Sequence, residues 1–341
     1  MDVNKQSQQA GEGSQLVQAG TIVINQGVSE ERVRTVFNEM VPRALEEYTK
    51  EAYTKANERI TNWENSVLPR VNEVKGMLEA FADPAFQQVL RKAQQSAAVT
   101  DEKADYDLLT ELLVCHVEKG DSRKNYVGIN KAVEIVGQID NDALCGLTVA
   151  HVLERFAPIT GDVTYGLEVL EEVYRKLVYQ ELPKGEDWLD HLDTLGAIRM
   201  SSMGGFKKFI DYYPKVLNGY ACIGIKKESE EYHKASELLQ EISLNAETCL
   251  KPNEFLDGFV RIDIRSFDQI ETLRVIHQGI GKPITSKEKQ VFEKKWDSYP
   301  VLKEIHGWWD EIPTSFSITK VGEILAHTNA KRCDSTIPDM I

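Results

Sequence analysis

The sequence predicts a mainly α-helical protein: a multi-helix bundle with a long N-terminal helix and a small strand pair near the C-terminus. Two observations support this fold class. After residue 28, apolar side chains recur through most of the chain at the three- and four-residue intervals of an amphipathic helix. The apolar–polar alternation that is typical of a half-buried strand stands out at residues 258–264, and a second short strand is predicted at 316–318.

The composition excludes several classes of protein. The chain has 341 residues, 40 Lys+Arg against 54 Asp+Glu, and a formal net charge of −14. A protein that coats nucleic acid needs clustered basic side chains, so we expect no broad nucleic-acid binding. The five cysteines lie far apart without a C-x-x-C pair, which favours reduced thiols and no zinc site. Without a signal segment or an apolar run of about 18 residues, we expect a cytoplasmic protein that does not insert into membranes.

The chain divides into four predicted regions. Residues 1–27 form a polar, Gln- and Gly-rich leader that is flexible or β-prone. A long helix or coiled-coil-like region follows at 28–98, then a helical domain at 99–250. The last region, 251–341, is helical with two short strands.

The long N-terminal helix is predicted from a start signal and an apolar stripe. Ser29 is suited to cap the helix, and Glu30 and Glu31 lie in the first turn, where the helix dipole favours acids. The pattern continues to about residue 75, with kinks at Pro42 and Pro69. Alternating charges along it allow two interpretations: a helix that packs against copies of itself, or a solvated outer helix of a bundle. The stripe comprises Val33, Val36, Phe37, Met40, Val41 and Leu45.

Helical spacing recurs in the rest of the chain. Pro84 is suited to the first turn of the helix that follows residue 83. Further helices are predicted at 107–117, 131–139, 144–156, 165–178, 226–242, 266–278, 286–296, 301–309 and 319–330.

One polar cluster suggests chemistry. On a helix, Asp187, Asp190 and His191 share one face through their three- and four-residue spacing. Two carboxylates and an imidazole suit a divalent metal or acid–base catalysis. The alternative is structural: acids at a helix start are stabilised by the dipole, and His191 caps or packs.

Three further clusters are interpreted as structural. His151 and Glu154 are three residues apart, but di-iron bundles use the reverse order twice. Cys115 and His116 are adjacent, so on a helix they point in different directions, and no base pairs with the thiol. The paired indoles at 308–309 are predicted to anchor the core, with ligand or partner binding as the alternative.

The leader has the composition of strands that stack between chains. Its charge is sparse, it contains no proline, and a β-branched run occupies residues 21–24. Residues 9–25 resemble bacterial amyloid-signalling motifs, which are similar to the receptor-interacting-protein homotypic motif with its Val-Gln-x-Gly core. Residues 17–20, Val-Gln-Ala-Gly, fit that core. The resemblance implies self-assembly that passes a signal from a sensor to an effector. The residues predicted to mediate it are Val17, Gln18, Gly20, Ile22, Val23 and Ile24.

A second resemblance lies at residues 316–329. This strand-then-helix pattern is similar to the ending of several uncharacterised bacterial proteins of phage-defence islands, and also to the last elements of winged-helix domains. Physically, Thr319 is suited to cap the helix, and Gly322 allows the turn behind it to pack closely. The resemblance implies a defence context and no mechanism.

Together the two resemblances imply a bacterial antiviral defence protein that acts through protein–protein interaction or self-assembly. We expect a homo-oligomer, a protein partner within a defence system, no cofactor and no bound metal, and the sequence identifies no enzymatic reaction. One alternative is a metal-dependent nuclease or hydrolase that uses Asp187, Asp190 and His191. Another is a structural scaffold that oligomerises through the helix at residues 30–75.

Overall fold

The computed structural model describes residues 30–45, 49–120, 122–158, 160, 162–201, 206–217, 220–262, 284 and 286–340. The prediction of a mainly α-helical protein is confirmed. The leader and the predicted helix at 266–278 lie outside the described residues. The helices of the first half are α1 Glu30–Ala44, α2 Lys50–Glu73, α3 Met77–Ala80, α4 Pro84–Val99, α5 Lys103–Lys119, α6 Arg123–Ile135, α7 Asn141–Arg155 and α8 Val163–Leu177.

The second half mixes helices with short strands. In the first half, α6 is followed directly by a 3₁₀ turn, Val136–Gln138. Within the described part of the chain, no helix is both long enough and apolar enough to cross a membrane. The elements are α9 Asp187–Thr194, β1 Ile198–Ser201, α10 Phe209–Val216, β2 Ile225–Lys226, α11 Glu230–Glu241, α12 Ala246–Cys249, β3 Leu250–Pro252, β4 Phe259–Ile262, α13 Ser286–Trp296, α14 Pro300–Glu311, β5 Ser315–Ile318 and α15 Lys320–Cys333.

The long helix predicted at residues 30–75, with kinks at Pro42 and Pro69, is divided in the structure at a different place. The segment forms two helices, because α1 ends at Ala44 and a new helix begins after Thr49, whose hydroxyl accepts a hydrogen bond from the N–H of Ala52 at 3.4 Å. Pro69 lies inside α2, which continues to Glu73.

The apolar stripe of these two helices is used within the chain. Val33 and Trp63 are fully buried, and Phe37 lies with its ring centroid 5.4 Å from that of Trp63. Both helices pack against α4. The bundle interpretation therefore holds, and a coiled coil with a second copy would require this face to be unpacked first.

A continuous apolar core extends from Val33 to Ile337 and does not divide at the predicted boundary between residues 98 and 99. The indole N–H of Trp63 on α2 donates to the hydroxyl of Thr110 on α5 at 3.2 Å, across that boundary. A smaller cluster joins α11 to the three-stranded sheet and crosses the predicted boundary at 250. It comprises Cys222, Ile225, Ala235, Leu239, Leu250, Val260 and Ile262.

Both predicted strands are present as β4 and β5, but they do not pair with each other. β5 pairs antiparallel with β1, so that Ile198 lies opposite Ile318. β4 is the central strand of a separate antiparallel sheet, flanked by β2 and β3. The sequence analysis did not predict β1, a four-residue strand whose only partner in the described part of the chain is more than 100 residues away.

The start of α14 is capped by a carboxylate from another helix. Tyr299, the N-cap residue, makes no side-chain capping bond. Instead, Glu171 on α8 is buried and accepts hydrogen bonds from the N–H groups of Val301 and Leu302, each at 3.1 Å. Because these donors would otherwise be unsatisfied, this long-range cap fixes α14 on α8.

Removing that carboxylate is expected to destabilise the protein. We expect Glu171→Ala to lower the free energy of unfolding by about 2–3 kcal/mol, since hydrogen bonds to a buried charged group are lost and the N–H groups keep no partner. Urea unfolding followed by circular dichroism measures the change. The matched control is Glu172→Ala, whose carboxylate is exposed and, among the described residues, pairs with Arg175. That variant should stay within about 0.5 kcal/mol of the wild type, and equal losses in both would contradict the capping role.

Candidate functional site

The predicted cluster on α9 does not form a shared ligand position. Asp187 and Asp190 are exposed in the first turn. The Nε2 atom of His191 accepts a hydrogen bond from the backbone N–H of Asp140 at 3.2 Å and lies 3.9 Å from the Asp140 carboxylate. His191 thereby ties α9 to the start of α7, as the structural alternative predicts. The metal-dependent nuclease or hydrolase that would use Asp187, Asp190 and His191 stays a prediction.

Metal ligation has no support in the described ranges. Among those residues, no group of three or more His, Cys, Asp or Glu side chains is placed to hold one ion. The residues predicted for self-assembly, Val17, Gln18, Gly20, Ile22, Val23 and Ile24, lie outside the described part of the chain.

The paired indoles anchor the core, as predicted. The indole N–H of Trp308 donates to the carbonyl of Pro183 at 2.8 Å, and that of Trp309 donates to the carbonyl of Lys207 at 2.9 Å. Both side chains are buried. The tryptophans therefore fasten α14 to the segments that precede α9 and α10.

The adjacent Cys115 and His116 diverge, as their spacing predicts. His116 packs edge-on against Phe86 and Tyr126, with ring centroids 5.7 Å apart in each pair. Burial, with a smaller contribution from Glu118, raises the pKa of the Cys115 thiol to about 11. The thiol is therefore protonated at neutral pH and is a poor nucleophile.

The central helix of the fold is α15. It packs against α5, α6 and α7, and it is buried from Ile324 to Ala330. Its start follows the sequence prediction: the Thr319 hydroxyl accepts a hydrogen bond from the Gly322 N–H at 3.2 Å and donates to the backbone next to β1. A helix that is buried on nearly all sides brings its polar residues into the core.

One of those polar residues, His327, meets His151 of α7 in an aromatic cluster that the sequence pattern did not predict. The rings of His151 and His327 lie edge-on at 5.7 Å, and Phe156 stacks on His327 at 5.8 Å. His151 is 3% exposed and His327 4%. The Nε2 atoms of both have no hydrogen-bond partner among the described residues. The available signal was a histidine within the apolar run of the predicted helix at 319–330.

Burial keeps both imidazoles neutral. Desolvation, with added repulsion from His327, Arg155 and Lys320, lowers the pKa of His151 to about 3. The pKa of His327 is also lowered, first by desolvation and then by Lys331. At neutral pH the two histidines therefore pack as uncharged rings and do not act as acids.

A polar chain leads from this helix to the surface. Asn329 is fully buried; its amide donates to the Thr148 hydroxyl at 2.9 Å, and its carbonyl oxygen accepts from Nε of Arg332 at 2.9 Å. The Arg332 guanidinium lies 5.5 Å from the ring centroid of Tyr179. Arg332 is thus oriented by a buried amide and an aromatic face.

Arg332 opens onto a polar cleft of about 630 Å³ between α2, α5 and α15, which we call the α5–α15 cleft. Within it, Arg70 donates to both carboxylate oxygens of Glu111, at 3.0 and 3.2 Å. Lys331 pairs with Asp339. The volume lies in the range of small-molecule sites, roughly 300–1,000 Å³. Its lining residues are Asn65, Ser66, Arg70, Lys103, Asp107, Thr110, Glu111, Lys331, Arg332 and Ser335.

Fold and site together define a helical protein with a large apolar core and a polar cleft beside its central helix. The model of an uncharacterised protein family matches residues 27–338, and the chain belongs to that family. No curated protein matches the chain. No solved structure matches it either.

Proposed function

We propose that this chain is a bacterial antiviral defence protein that acts through protein–protein interaction. In this proposal the leader self-assembles and the attached helical body is brought together with other copies. The observation that carries the proposal is the leader itself, with a Val-Gln-Ala-Gly core at 17–20 and a β-branched run at 21–24. The family match begins at residue 27, so it covers the body and leaves out almost all of the leader. This supports treating the two as separate units.

The connection between leader and body supports direct coupling. The first described residues, Glu30 and Glu31, are exposed, whereas Val33 and Phe37 are buried in the core. The carbonyl of Phe37 accepts a hydrogen bond from the Gln94 amide at 3.1 Å. The described part of the chain therefore begins at an exposed position on a firmly packed helix, and leader assembly would bring the bodies together.

The size of the body limits how far such assembly extends. Stacked strands repeat at about 4.8 Å, whereas a domain of this length has a radius of gyration of about 20 Å. Only residues 26–29 separate Asn25 from α1, a span of at most about 14 Å. Bodies on so short a connection crowd one another as stacked leaders are added, so we expect discrete oligomers instead of long fibres.

Charge substitution in the leader tests the proposal. In-register stacking places identical side chains against each other, so Val23→Asp or Ile24→Asp should reduce the full chain to a single-chain mass of 38.6 kDa by light scattering. The matched control is Val3→Asp, which adds the same charge to the leader outside the β-branched run and should keep the oligomer. A chain that begins at Ser29 should also be monomeric. Equal masses for the wild type and all variants would overturn the proposal.

A further inference from the structure

We propose that the α5–α15 cleft binds a small phosphorylated ligand of nucleotide or sugar-phosphate type. Lys103 and Arg332 would hold the phosphate, and Asp107 would accept hydrogen bonds from hydroxyl groups of the ligand. This inference is independent of the leader, because it rests on side chains of the helical body.

The walls of the cleft are rigid. α2 and α5 are joined by the buried bond from Trp63 to Thr110, and Thr110 itself lines the cleft. The third wall, α15, is the central helix of the core. A ligand entering the cleft therefore meets helices that are held in place before binding, which reduces the entropy cost of association.

Two of the four cations in the cleft are already neutralised. Arg70 is paired with Glu111 and also with Glu73 at 2.8 Å. Lys331 is paired with Asp339. These pairs leave little net charge to offer to a ligand, and they also prevent the Glu111 carboxylate from repelling an anion.

The other two cations are uncommitted. Neither Lys103 nor Arg332 has a close ion pair with any residue that the structure describes, although the charge of Arg332 acts on the nearby Asp105 carboxyl. Arg332 uses Nε for Asn329 and stacks near Tyr179, so its terminal nitrogens stay available on a positioned planar group. In a chain of net charge −14, two cations that make no close ion pair among the described residues of one cleft are available to an anionic group of a ligand.

The carboxylate of Asp107 indicates which class of ligand the cleft can bind. Asp107 is half-buried, lines the cleft, and makes no ion pair within the described ranges. A carboxylate beside the cations disfavours a bare inorganic anion but accepts hydrogen bonds from hydroxyl groups. A phosphate ester with neighbouring hydroxyls satisfies both kinds of group, and nucleotides and sugar phosphates share that chemistry.

Calorimetric titration of the full chain with ADP, ribose 5-phosphate and inorganic phosphate tests the inference. We expect at least one of the two esters to bind, and each binding ester to do so more tightly than inorganic phosphate. Binding by ribose 5-phosphate would show that the sugar phosphate suffices, and binding by ADP alone would show that the base is required. Absence of binding by both esters, or equal binding of inorganic phosphate, would overturn the proposal.

Charge-changing variants test whether the ester binds in the α5–α15 cleft or responds only to the overall charge of the protein. Lys103→Glu alters an exposed side chain and should weaken ester binding by about tenfold or more. The matched control, Lys303→Glu on α14, makes the same charge change at an exposed position remote in sequence and should leave the affinity unchanged. Asp107→Asn should reduce the preference for the ester over inorganic phosphate. Equal effects of Lys103→Glu and Lys303→Glu would contradict the assigned site.

Discussion

Gly322→Ala is expected to lower the free energy of unfolding by about 3 kcal/mol, because a methyl group at this position has no room. An added Cβ would lie 2.0 Å from the carbonyl oxygen of Ala197, and that atom belongs to the backbone. The same carbonyl accepts hydrogen bonds from both the N–H and the hydroxyl of Thr319, each at 2.9 Å. The start of α15 would therefore have to move away from β1, at the expense of its own cap.

A second glycine provides the control for this prediction. Gly307 lies inside α14, where an added Cβ meets nothing within 4 Å. Since alanine is favoured over glycine in an open helix interior, Gly307→Ala should stabilise the protein by up to about 1 kcal/mol. Urea unfolding of the two variants measures both changes. A Gly322→Ala protein that unfolds at the wild-type urea concentration would contradict the close contact.

Mild acid is expected to destabilise the protein through the His151–His327 pair. The pKa of each imidazole is lowered in the folded state, so the unfolded chain binds more protons between the folded and unfolded values. The stability linked to His151 is present above about pH 6.5 and is lost as the pH falls towards about 3. The slope is at most about 1.4 kcal/mol per pH unit for each histidine.

The measurement is urea unfolding at several pH values between 6.5 and 5. Carboxylates whose pKa is lowered, such as Asp334 and Glu134, lose their stabilising effect only below about pH 4.5. His151→Phe keeps an aromatic ring and removes the titration, so its pH slope should be shallower than that of the wild type. His233→Phe alters an exposed histidine and should keep the wild-type slope. A His151→Phe slope equal to that of the wild type would refute the role of the pair.

Local sequence signals predicted most of the helices and one detailed contact. Thr319 and Gly322 were predicted to cap α15 and to allow close packing, and the structure shows both. Such signals succeed because a cap involves residues only three positions apart. The break after Ala44 differs from the kinks predicted at Pro42 and Pro69 for a related reason: the apolar spacing persists across the break, and only the Thr49 cap marks the second start.

The candidate sites were less predictable. Asp187, Asp190 and His191 are close in sequence, but the fold directs His191 to the backbone of Asp140. The α5–α15 cleft draws Arg70, Lys103 and Arg332 from three helices that are far apart in the chain. No spacing rule connects such residues, because their distances depend on how the helices cross.

The sequence by itself determined the helical class, the approximate positions of most helices, the cap of α15 and the distinct leader, because each depends on residues within one or two turns. Only the tertiary structure decided that β5 pairs with β1, that Glu171 caps α14 and that His151 meets His327. These contacts join segments more than 100 residues apart. They form because buried strand edges, helix ends and polar side chains must find partners that a local pattern does not contain.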